Sequence, residues 1–168
     1  MTDNRGLRYG IYAGLSVVAV FVLLYLVNKD WYFNPFVFWA TVGVYLAFGW
    51  KALEDERQAA GGKLPFQDGL KVAFLIFVVA NLIYYVFHYL LMTVVDPEMP
   101  RLQQELALQT LEDWRETLPE DQYLERKKNL QDPNSTAVTL QGAALQYASS
   151  LIGYFLLSMI MAGVVSRK

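Results

Sequence analysis

The sequence predicts an all-α integral membrane protein, with four transmembrane helices and an extracytoplasmic amphipathic helical segment between the third and the fourth. Three observations carry that expectation. Apolar runs over about residues 7–27, 35–53, 70–95 and 140–165 have the length of helices that cross a hydrocarbon core of roughly 30 Å. The chain is 55% hydrophobic and holds four tryptophans, eleven tyrosines and ten phenylalanines, a load suited to membrane interfaces, where an apolar ring with a polar tip is at home. Polar breaks at Asn28-Lys29-Asp30, Gly61-Gly62 and Asp96-Pro97 separate the runs. Residues 1–168 are thus read as a single membrane domain, with the outer helical segment at about 96–138.

The first span follows Arg5 and Arg8. It is too long for the apolar region of a signal peptide and ends in Asn28, Lys29 and Asp30 rather than a small-residue cleavage site, so it is read as retained. Gly6, Gly10 and Gly14 recur every four residues and share one helical face, which lets another helix approach closely in lipid. The simpler account of that face is packing inside the bundle, and the sharper one is a dimer interface. Trp31, Tyr32 and Phe33 place the first connection at an interface. Asn34-Pro35 is a helix start, a capping side chain before a first-turn proline.

The second span carries Trp39 and Trp50 towards its ends and a small face at Gly43 and Ala47. It leaves through a mixed-charge stretch, Lys51 to Gln58, and stops at Gly61-Gly62. Pro65 opens the third helix, whose long apolar run ends where Asp96, held out of helical geometry by Pro97, turns the chain. Met99, Leu102, Leu106, Leu111, Trp114 and Leu118 then recur at roughly helical spacing. Pro119 interrupts, and Glu120 to Leu130 reads as a second short helix. A turn at Asp132 to Ser135 follows, with Ser135 or Thr136 expected to cap the last span. Asn134-Ser135-Thr136 matches a glycosylation acceptor, a pattern frequent by chance. Ser149 with Gly153, and Ser158 with Ala162, give the last span small pairs four residues apart before it ends in Arg167 and Lys168.

Charge sets the expected orientation. The terminal stretches and the 51–71 connection together hold eight basic and five acidic residues, and the basic ones sit beside span ends, where the positive-inside rule counts them. Both termini are therefore expected in the cytoplasm and residues 96–138 outside. That outer segment holds ten acidic and five basic residues, a net of −5, which suits cations or a basic partner, although a solvated charged face is the default.

Composition also excludes chemistry. A net charge of −2 without a basic aromatic patch gives no case for nucleic acid. With no cysteine there are no disulfides, thiolate metal sites or cysteine nucleophiles. A lone histidine, His88, falls short of the three or four protein ligands zinc normally takes, and no motif calls for a cofactor or names a reaction. Polar groups inside a bilayer are costly and mark candidate sites. On the third helix Asn81, Tyr85 (or Tyr84) and His88 fall on one side, Asn81 near mid-membrane and His88 nearer the outer interface. The plain account pairs Asn81 with Gln146, Ser149 or Ser150 and His88 with tyrosines. A proton relay, a lipid headgroup pocket or a pore lining are the functional alternatives.

Arg8-Tyr9-Gly10 with Gly14, Phe66-Gln67-Asp68-Gly69-Leu70-Lys71, Asp96-Pro97 and Ser150-Leu151-Ile152 before a small-residue, basic-ended tail form an ordered series along nearly the whole chain. In this it resembles a family of small, uncharacterised four-span membrane proteins, mainly of Bacteroidota, classed as a domain of unknown function. The resemblance implies four spans and an inner-membrane location, and it supplies no catalytic residue. The resulting expectation is a non-enzymatic protein of the lipid bilayer, either a homo-oligomer or an accessory subunit of a larger membrane complex, with Gly6, Gly10, Gly14, Ser149 and Gly153 as helix-contact faces. The alternatives are a small oligomeric channel or transporter with Asn81 and His88 facing the path and, third, a lipid-modifying or intramembrane enzyme.

Overall fold

The computed structural model describes residues 4–132 and 137–167. Among them the regular structure is helical: α1 (Arg5–Val27), α2 (Lys29–Tyr32), α3 (Pro35–Ala59), α4 (Phe66–Leu90) running into a π-helical turn (Leu91–Val95), α5 (Met99–Asp113), a 3₁₀ turn (Arg115–Thr117), α6 (Glu120–Gln131) and α7 (Leu140–Ser166). Four helices, α1, α3, α4 with its π turn, and α7, are long and apolar enough to cross a membrane, as in a multi-pass membrane protein. At ~1.5 Å per residue, the 30 residues of α4 and its extension reach about 45 Å, well past the hydrocarbon core.

Local chemistry sets the boundaries. The Asn4 side chain accepts from the Leu7 amide and opens α1, and Asn34 accepts from Phe36 N at 2.9 Å ahead of Pro35 at the first turn of α3. The polar Asn28-Lys29-Asp30 stop is itself the start of α2, because Asn28 Oδ1 accepts from Asp30 N. The second helix continues beyond the apolar run through Lys51 to Ala59, where i,i+4 pairing of Lys51 with Asp55 at 2.8 Å supports it. Gly61 and Gly62, at φ of 77° and 93°, take the chain through a left-handed turn that a side chain would strain. The third helix begins at Phe66, a turn earlier than its apolar run. Thr139 caps α7, its Oγ1 accepting from Gly142 N at 3.0 Å. The expected caps Ser135 and Thr136, with the Asn134 acceptor pattern, lie outside the described residues.

The bundle is organised on α4, which packs most extensively on α1, then on α7 and on α3. The α1–α4 seam is close because glycines make it so. A Cβ on Gly10 would lie 2.8 Å from Val79 Cβ, and one on Gly14 3.0 Å from Ile83 Cβ and 3.1 Å from Ala80 Cα. Aromatic rings fill the centre: Tyr45, Phe77 and Tyr154 meet with centroids 5.0–6.3 Å apart. Charged contacts tie helices together at both ends of the bundle. Arg5 pairs with Glu56 at 2.7 Å while Tyr9 donates to Asp55; at the opposite end Lys29 and Tyr25 both donate to Asp96.

Two gaps in this packing matter later. The helices α3 and α7 touch only thinly, leaving a cleft between them over α4. The α5–α6 hairpin is fastened at its base, where Met99 is buried, and its tip carries Trp114 at 60% and Leu124 at 55% exposure. The apolar periodicity of residues 99–118 thus splits, one end packed on the bundle and the other open.

Candidate functional site

Asn81 stands about halfway along the 30-residue third span, on the face of α4 turned to α7, and is 3% exposed. Its Nδ2 donates to Ser150 Oγ at 2.6 Å, and Ser150 in turn donates to the Tyr147 carbonyl at 2.7 Å. Ser150 is one of the three partners named from the sequence, with Gln146 and Ser149. Among the described residues this is the one hydrogen bond the Asn81 side chain makes, so a group with two donors and two acceptor positions keeps capacity to spare. Tyr85 lies one turn above, its ring 5.9 Å from Tyr147 and its hydroxyl in reach of Ser150.

His88 is seven residues beyond Asn81, about 10 Å along the helix. Its Nδ1 shares a hydrogen bond of 2.8 Å with the Tyr32 hydroxyl, and its ring stacks on Tyr32 and Tyr84. Tyr32 comes from α2, the short helix that the sequence reading missed. The one signal for it is Asn28, a capping residue as well as a break in the apolar run.

These groups line one wall of a cleft of about 720 Å³. Phe38, Trp39 and Val42 of α3 form the opposite wall, and Gly153, Leu156 and Leu157 of α7 the third side. Tyr45 and Tyr154 close its deep end, at the level of the aromatic centre. At Gln103 and Gln146 it adjoins a smaller cavity of about 280 Å³ beneath α5, and His88 borders both. Among the described residues, no Asp, Glu, Lys or Arg lines the larger cleft. Its polar groups are amides, hydroxyls and one imidazole, which can orient a hydrogen-bonding molecule but offer no ion a counter-charge.

The small residues divide. Gly6, Gly10 and Gly14 are covered by α4 within the chain. Ser149 is exposed, and a Cβ on Gly153 would meet nothing within 4 Å. No cluster of three or more His, Asp or Glu side chains that could hold a metal occurs among the described residues.

The α5–α6 hairpin has its own polar cluster. Tyr123 donates to Glu112 at 2.5 Å, Lys127 lies 3.7 Å from the same carboxylate, and Arg115 pairs with it at 3.3 Å. These partners hold the Glu112 carboxyl below its ordinary range, the Tyr123 hydrogen bond first. The cluster locks α6 to α5 and leaves Trp114 and Leu124 outward.

A protein-family model described as "Protein of unknown function (DUF4199)" matches residues 8–167. No curated protein and no solved structure matches the chain. The family match spans nearly the whole sequence, and the chain belongs to that family.

Proposed function

We propose that this family member is a non-enzymatic accessory subunit of a bacterial inner-membrane assembly, with both termini cytoplasmic and the α5–α6 hairpin outside. The observation that carries the reading is the hairpin's build: a braced, acidic projection with Trp114 and Leu124 uncovered at its tip. Large rings in an otherwise polar surface are typical anchors of protein interfaces. The segment's net charge of −5 favours a partner with a basic face. Two hairpins of one sign repel, which argues for a different subunit rather than a second copy. The basic residues beside the span ends of the other side support the orientation.

Full-length protein solubilised in mild detergent is expected to co-purify with a membrane or periplasmic protein bearing a basic surface, and Trp114→Ala combined with Leu124→Ser to lose it. A monomer without a protein companion, or a companion retained by the double variant, would overturn the reading.

A further inference from the structure

The cleft between α3 and α7 does work of a different kind from the hairpin. We infer that it is a lateral binding site for a neutral amphiphile, a lipid-like molecule with an uncharged, hydrogen-bonding head group. Three features of the cleft point to that class.

The first is position. The cleft opens sideways between two helices that are both apolar enough to lie in a membrane, and it reaches from Gln146 to Asn81, at half the depth of the span. A molecule entering through that gap comes from the hydrocarbon phase. The second is its lining. Phe38, Val42, Leu156 and Leu157 offer an apolar channel for a chain, while His88 and Asn81 on α4 and Gln146 and Ser150 on α7 supply polar groups along its walls. The volume of about 720 Å³ falls within the roughly 300–1,000 Å³ of small-molecule sites. The third is charge. A phosphate, carboxylate or ammonium head drawn into the cleft would lose water without finding an opposite charge, an expensive exchange in low dielectric. A hydroxyl, ester or amide loses far less and recovers hydrogen bonds from Asn81, His88 and Gln146.

Gly153 provides a lever, since it lines the cleft and a Cβ added there would meet nothing within 4 Å. The experiment uses full-length protein in phosphatidylethanolamine–phosphatidylglycerol vesicles. Three diazirine probes share one acyl chain and differ in head group: a monoacylglycerol, a fatty acid and an alkyltrimethylammonium. Cross-linked peptides are read by mass spectrometry.

The monoacylglycerol is expected to label peptides containing Phe38–Val42 and Ile152–Leu157 about tenfold above either charged probe, the ratio one decade of affinity gives. Labelling should fall to the level of the charged probes in Gly153→Leu and stay unchanged in Gly43→Leu, whose side chain also meets nothing but lies away from the cleft. Should Gly153→Leu fail to fold, Thr41→Phe blocks the cleft from α3. Equal labelling by all three probes, or labelling that survives the blocked variant, would overturn the proposal. So would a probe-independent dimer that Gly153→Leu dissolves, because it would give the cleft to a second copy. Loss of a co-purifying protein in the hairpin variant leaves this readout untouched, so the two readings fail separately.

Discussion

At the scale of single residues, the tight glycine contacts of the α1–α4 seam and the Asn81–Ser150 hydrogen bond can be ranked by what each would cost to lose. An interhelical hydrogen bond between membrane spans contributes on average about 0.6 kcal/mol, because the separated helices also find partners. Overpacking a tight seam costs typically ~1–3 kcal/mol. Gly10 faces Val79 Cβ and the Ile76 carbonyl, neither of which is the far end of a flexible side chain, whereas the Cβ of Gly49 would meet only the mobile methyl of Met161. Gly10→Ile is therefore expected to destabilise the protein more than Asn81→Leu does, with Gly43→Ala near neutral. Melting of the detergent-solubilised variants, followed by light scattering, measures the order, and a larger loss for Asn81→Leu would reverse the ranking. Sequence reading reached some of this. The four-residue repeat of Gly6, Gly10 and Gly14 announces a close approach, and the polar residues of the last span include Ser150, the partner Asn81 takes. Which helix covered the glycines was not legible, since a small face specifies only that something comes near. Nor did anything on α7 distinguish Ser150, turned to α4, from its exposed neighbour Ser149.

At the scale of elements, the long apolar runs and their Asn-Pro and Gly-Gly punctuation made the main helices visible, while their ends shifted by a turn wherever charged residues continued a helix past the apolar stretch. The π turn at Leu91–Val95 had no sequence signal. The Asp96 amide closes the turn on the Leu91 carbonyl at 2.8 Å, and the Asp96 carboxylate then reaches α1 and α2, where it accepts from Tyr25 and Lys29. The Lys29 hydrogen bond, followed by that of Tyr25, holds the Asp96 carboxyl below its ordinary range. A carboxylate whose folded pKa is depressed adds stability above its unfolded pKa, and that stability fades as pH falls through the folded value. Acid should thus loosen this end of the bundle below the usual carboxylate range of about 4. Asp96→Asn is expected to lower the melting temperature at pH 7 and to flatten its decline between about pH 5 and 3. An unchanged acid slope in the variant would remove Asp96 from the account.

For the whole molecule, the absence of cysteine makes topology directly measurable. Single cysteines at Lys63 and Gln122 report the two sides, and a membrane-impermeant maleimide applied to cells with a permeabilised outer membrane should label Gln122→Cys and spare Lys63→Cys. The reverse pattern would invert the orientation. The cleft is the global feature that sequence could not reveal, because it arises from the divergence of α3 and α7 and not from any residue in them. The central place of α4 bears also on how the protein is made. Its principal neighbour, α1, emerges from the ribosome about 60 residues ahead of it, with α3 in between. The ties between the first two long helices, Arg5 to Glu56 and Tyr9 to Asp55, involve no residue of α4, so nothing in them has to wait for it.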